Sequence, residues 1–304
     1  MVRFSLIIPI YNKAKYLRAT LNSIVRIKNT EFEVLLVDDG SVDESSAICD
    51  FYSKEYSFIH TYHIENGGVT NARKYGVQKA IGDWIGFIDA DDTVAPNYLE
   101  VLGSGTNTDA CDIVVAGQEY NGLVDFDNVL WLFVDGKLAC VHQKLFRKQL
   151  FSDYVFDIPR TITRGEDMIM NIRLAYASKK KVMFLQENIY NYEMRQDGLY
   201  SSTKYSIDAL ELWYKYYMNS LSSDILKEHE FDFLLGKMAN LYEVALSNPL
   251  RLNWKKSKFY KELQDWRAEN KTIRIPLKYR SLFFKNDLVL IMSLILFKIR
   301  NRIK

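Results

Sequence analysis

Carboxylates gathered at the end of an apolar run can hold a hard cation, and this chain carries such an arrangement from Trp84 to Asp92, Trp-Ile-Gly-Phe-Ile-Asp-Ala-Asp-Asp. Four to eight apolar residues bounded by turn signals read as a buried strand. Asp89, Asp91 and Asp92 then fall at its carboxyl end, where open α/β sheets bind their ligands. Two like charges about 5 Å apart repel by roughly 3 kcal/mol at an effective dielectric near 20, so the cluster calls for a cation or a shared proton. Mg²⁺ or Mn²⁺ typically takes one or two carboxylates and completes its shell with substrate phosphates. The chemistry implied is diphosphate binding; the competing reading is a solvated acidic turn ahead of the helix that Pro96 begins. Two more acidic pairs stand out, Asp38-Asp39 after a β-rich run and Glu166-Asp167 at the start of a helical pattern. Carboxylates in a first helical turn are also favoured by the macrodipole without any catalytic part.

The elements that position these acids follow in order. Phe4 to Ile10 reads as a buried strand, and Pro9 and Tyr11-Asn12 mark its loop. Leu17, Leu21, Ile24 and Val25 then form one helical stripe. Glu33 to Val37 is a second strand ending in Asp38, Asp39 and Gly40-Ser41, and Ser41-x-x-Glu44 has the spacing of a capping box. Phe58 to Ile64 is a third strand, whose His60 and His63 fall on opposite faces and so make a poor metal pair. After Asn66-Gly67-Gly68, the small residues Val69, Ala72, Gly76 and Ala80 predict a helix lying close on the sheet, with Arg73 beside that face. Alternating strands and helices imply a mostly parallel sheet with right-handed crossovers. Further on, Cys111 to Gly117 predicts a strand, Val129 to Val134 is indistinct, and Met168, Ile172, Ala175 and Tyr176 define the buried stripe of a helix opened by Arg164-Gly-Glu-Asp.

Four stretches, in consecutive order over roughly the first hundred residues, resemble the nucleotide-sugar half of family 2 glycosyltransferases of the GT-A fold. They are Ser5-Leu-Ile-Ile-Pro-Ile-Tyr-Asn12, Val37-Asp-Asp-Gly-Ser41, Glu65-Asn-Gly-Gly-Val69 with Ala72-Arg73, and Gly82-Asp-Trp-Ile-Gly-Phe-Ile-Asp-Ala-Asp-Asp92. The resemblance implies an α/β fold, a Rossmann-like, mostly parallel sheet flanked by helices, with a C-terminal helical extension. It implies that Asp39 accepts a hydrogen bond from uracil, that Pro9 and Tyr11 flank the base, and that Asp38 and Arg73 belong to the donor site. Asp89 and Asp91 would form the DxD motif, Asp91 on Mn²⁺ or Mg²⁺ and Asp89 on the ribose or the metal. Val141 to Lys148 resembles the lysine-and-arginine stretch ahead of the catalytic helix, with Lys144 and Arg147 at the matching positions, for phosphate contact or loop docking. Glu166-Asp167 falls where family members carry a Glu-Asp pair with the aspartate as base; which of the two acts is open. Tyr190-Asn-Tyr-Glu-Met-Arg195 resembles the closing segment of the catalytic domain and offers Arg195 to the diphosphate. The activity implied is inverting transfer of a hexose or N-acetylhexosamine from a UDP-sugar to a hydroxyl of a saccharide or lipid-linked acceptor, in cell-surface polysaccharide synthesis. The type resembled is the bacterial, non-processive one, and no QxxRW segment of the processive synthases is present, which favours single addition.

At 304 residues the chain has room for a catalytic domain over 1–200, divided into a nucleotide-sugar half (1–100) and an acceptor-side half (101–200), and a helical region over 201–304. A net charge of +2 gives no ground for a nucleic-acid partner. Cys49, Cys111 and Cys140 are odd in number and form no CxxC, and the N-terminus runs straight into a strand pattern without a separate apolar h-region. Both features point to the reducing cytoplasm. There is no GxGxxG after a strand, no GxxxxGK[ST], no HExxH and no GxSxG, so oxidoreductase, P-loop and hydrolase readings lack support. A metal-dependent nucleotidyltransferase shares the acidic site but usually has a glycine-rich basic loop after its first strand, which Ile10-Tyr-Asn-Lys-Ala14 is not; a catalytically silent nucleotide-sugar-binding module is the third reading. In the tail, Lys271, Arg274, Lys278, Arg280, Lys285, Lys298, Arg300, Arg302 and Lys304 flank the apolar run Leu288 to Phe297. Ten residues cannot span a core that needs about twenty. Peripheral contact through 275–304 with the inner face of the plasma membrane, packing on the domain, or burial in a homodimer are the readings left.

Overall fold

The computed structural model describes residues 2–193, 206–247 and 249–302. The chain forms two compact units, Met1–Ser201 and Ser202–Lys304.

The first unit is built on an eight-stranded mixed sheet. Its parallel half comprises β1 (Phe4–Ile10), β2 (Phe32–Asp38), β3 (Ile59–His63) and β4 (Trp84–Phe87), joined by α1 (Ala14–Ile24), α2 (Ser45–Glu55) and α3 (Val69–Lys79) in the spatial order β3-β2-β1-β4. Leu6, Ile7, Ile8, Val34, Leu35 and Leu36 are fully buried. Helices cover both faces of these strands, which is why they read as continuous apolar runs rather than alternating ones. Gly76 is what lets α3 lie so close: a Cβ there would collide with Ile7 Cγ2. The register of β4 is fixed by a buried polar junction in which Ser5 Oγ and the Ile81 amide both donate to Glu33 Oε1, the latter at 2.7 Å, while the Gly82 amide donates to Ser5 Oγ at 2.9 Å.

The other half adds β6 (Cys111–Ala116), β7 (Gly122–Val124), β8 (Lys144–Arg147) and β9 (Lys181–Leu185). Strand β8 lies between β4 and β6, antiparallel to both. A separate two-stranded ladder pairs β5 (Thr93–Val94) with β10 (Tyr190–Asn191). Helix α4 (Tyr98–Ser104) packs on β6, and α6 (Glu166–Ser178) packs on β6 and on α5 (Phe126–Val134).

Three local expectations change. The indistinct stretch Val129–Val134 lies in α5, where Val129, Leu130, Leu132, Phe133 and Val134 are all buried, so its uniform apolarity hid the helical period. Helix α6 is buried all round from Ile169 to Ala175, with Met168 and Tyr176 only half-buried, because neighbours enclose it on more than one side. Ser41 does not cap α2, which begins at Ser45; its Oγ accepts from the Asn12 amide at 3.0 Å and thereby ties the β2 loop to the β1 loop.

Asp38 turns into the fold. Its carboxylate accepts from the Ser41 amide at 3.0 Å, from Ser46 Oγ at 2.5 Å and from His63 Nδ1 at 2.8 Å. Burial alone would raise this carboxyl, but the bonds from Ser41, Ser46 and His63 hold it below the usual range. His63 bridges on to Asp50 at 3.0 Å, and its bonds to Asp50 and Asp38 raise its pKa. A raised folded-state pKa contributes stability that is fully present below the unfolded value of about 6.5 and is lost as pH rises through the folded one. The Tm advantage of the native chain over His63→Gln should therefore shrink from mildly acidic to alkaline buffer. A difference independent of pH would show that the bridge carries no charge.

The second unit is helical: α7 (Ile207–Asn219), α8 (Ser223–Glu228), α9 (Glu230–Ser247), α10 (Lys258–Glu269) and α11 (Asp287–Arg302). Ser206, Ser222 and Ser257 cap α7, α8 and α10 by accepting from amides in the first turn. Trp254, Leu263, Leu282, Leu290 and Leu294 are fully buried inside it.

Candidate active site at the carboxyl ends of the strands

Because β1, β2 and β4 run parallel in register, Ile10 opposite Asp38 and Ile7 opposite Phe87, the acidic segments after β2 and β4 emerge at one edge. The loop after β4 is held from both sides. Thr20 Oγ1 of α1 donates to the Ala90 carbonyl at 3.0 Å, and Tyr190 OH donates to Asp92 at 2.7 Å while accepting from the Asp89 amide at 3.1 Å. Asp92 is buried and fixes the loop, leaving Asp89 and Asp91 with side chains about a third and a fifth exposed.

Arg73 joins the acids. It is 2% exposed, its guanidinium pairs with Asp167 Oδ1 across the cleft and reaches Asp89 Oδ1 at 3.6 Å, and it lies over the Phe87 ring. Its Nε is buried without a hydrogen-bond partner among the described residues. One guanidinium thus faces three carboxylates, Asp167, Asp89 and Glu166. The negative excess shows in the titration: burial pushes Asp89 up to about 7 against the pull of Arg73, with Asp167, Asp92 and Asp91 adding to the rise. Glu166 is pushed up to about 7 by burial and by the charge of Asp167.

Asp91 accepts a salt bridge from Lys13 Nζ at 2.5 Å. Asp89 and Asp91 are partly exposed hard oxygen donors, while no group of three or more His, Cys, Asp or Glu among the described residues could hold an ion. The donor set fits a Mg²⁺ or Mn²⁺ that takes two carboxylates and draws its other ligands from phosphate and water; it does not fit a closed protein cage.

Asp39, next to the inward-turned Asp38, points the other way, as successive residues of an extended chain must. Its carboxylate accepts from the Gly67 and Gly68 amides, each at 2.8 Å, and Gly68 takes a φ of 91° that disfavours a side chain. Each carboxylate oxygen keeps a second lone pair for a ligand donor. Pro9 is half-buried and Tyr11 is 48% exposed at the end of β1. Asp38 is buried, and its carboxylate is engaged by Ser41, Ser46 and His63 rather than presented to the donor site. Lys144 and Arg147 dock the fold: Lys144 is buried, donates to the Cys140 carbonyl and is pushed down by burial to about 8, and Arg147 stacks over Trp84 at 4.4 Å. Arg195 lies outside the described residues.

Lys13 and His142 are site residues that sequence reading missed. The His142 ring stacks on Tyr190 at 4.4 Å and more loosely on Tyr192 at 6.1 Å; burial pushes it down to about 4 and keeps it neutral. The neighbouring Val141 amide donates to Asp167 Oδ2 at 3.4 Å, and Asn171 of α6 donates to the Leu138 and Cys140 carbonyls, both at 3.1 Å, which holds this segment against the helix. Lys13 directly follows Asn12 and His142 lies within Val141 to Lys148, but nothing local marks either side chain, because their partners Asp91 and Tyr190 are far along the chain.

The fold places this chain among known architectures. The S. aureus TarS 1-349 complex with UDP-GlcNAc superposes with a TM-score of 0.69 at 19% identity, over 99% of this chain and 92% of that one. Mannosyltransferase PcManGT from Pyrobaculum calidifontis, in complex with GDP-Man and Mn²⁺, superposes with a TM-score of 0.57 at 15% identity, over 99% and 88%. The fold is the GT-A fold of these glycosyltransferases. Residues 5–156 match the model described as Glycosyl transferase family 2, and the chain belongs to that family. It is 27% identical over 264 residues to Glycosyltransferase GlyG of Streptococcus pneumoniae serotype 4, covering 78% of this chain and 85% of GlyG. Some other curated relatives are longer, and the chain spans less than half of the length of these.

Proposed function

We propose that this protein is an inverting glycosyltransferase that moves a hexose or N-acetylhexosamine from a UDP-sugar to a hydroxyl of a saccharide or lipid-linked acceptor, in cell-surface polysaccharide synthesis at the cytoplasmic side of the membrane. The observation that carries this reading is Arg73, which ties Asp89 on the donor side of the cleft to Asp167 on the other side. The family, the GlyG relative and the TarS neighbour solved with UDP-GlcNAc support it.

In this reading Tyr11 and Pro9 flank the base of the donor and Asp39 accepts from the uracil ring. Asp89 and Asp91 would hold a divalent ion, for which the mannosyltransferase neighbour bound to Mn²⁺ is a precedent. That ion, when bound, stabilises the charge that grows on the departing diphosphate. Asp167 takes the proton of the acceptor hydroxyl as the oxygen attacks the anomeric carbon and the bond to the diphosphate breaks, which inverts the configuration. Arg73 holds Asp167 in place, and a carboxylate within hydrogen-bond reach of the attacking oxygen is a competent base. The β1 loop contains no glycine to wrap a triphosphate, which disfavours nucleotidyl transfer.

The test is UDP binding by calorimetry with and without Mn²⁺. Asp91→Asn should reduce the Mn²⁺-dependent gain in affinity about tenfold or more, on the scale of perturbed metal sites, while Tm changes little. Undiminished metal-dependent binding in the variant would remove Asp91 from the metal. Absence of UDP binding in the native chain would remove the donor class.

A further inference from the structure

The second unit carries a groove of about 690 Å³ beside the end of α10, and its lining is basic and apolar with no carboxylate. Arg267, Lys271, Arg274, Arg280 and Lys285 supply the charge, and Ile273 and Phe284, each 37% exposed, belong to its apolar part. Two of the cations are fixed in place. Arg267 donates to the Asn270 and Ile273 carbonyls at 3.0 and 2.8 Å, and Arg280 donates to the Ile275 carbonyl at 3.0 Å. Lys271, Arg274 and Lys285 are exposed and have no carboxylate within ion-pair distance among the described residues.

The chain then enters α11, which has two apolar faces. Leu290 and Leu294 are fully buried, whereas Leu288, Met292 and Leu296, four residues apart on the opposite side, are 72%, 63% and 64% exposed, with Val289 beside them at 49%. A contiguous apolar stripe in water marks an interaction site. No described helix is long and apolar enough to cross a membrane.

We propose that this groove and the outer stripe of α11 form one docking surface for an anionic phospholipid leaflet, the cations taking headgroup phosphates and the stripe entering the acyl boundary. The two features are consecutive along the chain, since Lys285 of the groove stands just ahead of Leu288 of the stripe. Cations near an anionic leaflet contribute roughly 1 kcal/mol each, and an amphipathic helix buries its apolar face at the headgroup boundary. A free phosphate ion would leave the stripe in water. A second copy of the chain would bring a surface of five like charges against another of the same sign, so charge complementarity favours lipid. The surface begins before residue 275, because Arg267, Lys271 and Arg274 line the same groove as Lys285. It goes beyond the transferase reading and does not depend on it.

The experiment is co-sedimentation of the full chain with vesicles of phosphatidylcholine alone and of phosphatidylcholine with phosphatidylglycerol, at low and high salt. Binding is expected only to the anionic vesicles and should be released by salt. Lys271→Gln, Arg274→Gln and Lys285→Gln should each lower partition about fivefold, and Met292→Asp should lower it as well, with Tm unchanged because all four side chains are exposed. Equal binding to neutral vesicles, or variants that bind like the native chain, would overturn the proposal. So would displacement by inorganic phosphate beyond that caused by sodium chloride of equal ionic strength, which would mark a soluble-anion site, or a dimer in light scattering that Met292→Asp dissociates. The readout is sedimentation rather than transfer, so a failure of the UDP-sugar assignment leaves the result standing.

Discussion

Asp167→Asn should lower turnover by about two to four powers of ten, the usual contribution of a positioned general base, and leave UDP-sugar affinity within a small factor. Asparagine keeps the shape of the side chain and its contact with the Val141 amide, but it cannot take a proton. It also weakens the pair with Arg73, so the guanidinium is left to Asp89, 3.6 Å away. A combined measurement separates the two effects. If turnover per bound donor collapses while calorimetric affinity for UDP persists, Asp167 acts on the acceptor. If donor binding collapses and turnover per bound donor is unchanged, the residue serves the donor through Arg73 and the base lies elsewhere. Glu166→Gln is the necessary partner experiment, because Glu166 sits beside it with a pKa pushed up to about 7, a value suited to proton transfer at neutral pH. Whichever variant carries the turnover defect identifies the base.

The part of the fold that carries the donor-side acids was legible because its signals are local. β1, β2 and β4 are apolar runs ended by turn residues, and the small residues Ala72 and Gly76 announced a helix lying close on the sheet. The same local signals put Asp39, Asp89, Asp91 and Arg73 near the carboxyl ends of these strands. They fail where a residue's partner is remote. Asp38 stands beside Asp39 in the sequence, but its side chain faces α2 and His63. Lys13 meets Asp91 across 78 positions and Arg73 meets Asp167 across 94. No periodicity encodes such a pairing. Ser41 had the spacing of a cap, yet holding Asn12 and the β1 loop took its hydroxyl. Lys144 and Arg147 looked available for a phosphate because sequence does not reveal burial; one is enclosed under the Cys140 carbonyl and the other lies flat on Trp84.

Arg73→Met should be the most damaging single change for stability. It removes the guanidinium that faces Asp89, Asp167 and Glu166 while retaining a side chain that can pack on Phe87. Taking one partner from a buried pair costs about 3–5 kcal/mol, because the remaining charge is left uncompensated. The pH dependence gives the cause. Asp89 and Glu166 already titrate at about 7 in the folded chain, and without the guanidinium both must rise further. Carboxylates with raised pKa bind more protons folded than unfolded, so their contribution to stability falls as pH climbs from about 4 through the folded value. The deficit of Arg73→Met in Tm should therefore be larger at pH about 8 than at pH about 6. Arg73→Lys should fall between the two, since a point charge on a flexible stem cannot serve two carboxylates as a planar fork does. Mn²⁺ supplies a second diagnostic, because an ion held by Asp89 and Asp91 replaces part of the missing positive charge and should raise the Tm of Arg73→Met by more than that of the native chain. A variant that melts like the native protein at both pH values would mean that the acids around Arg73 are solvated and that the cleft holds no charge excess to attract a metal.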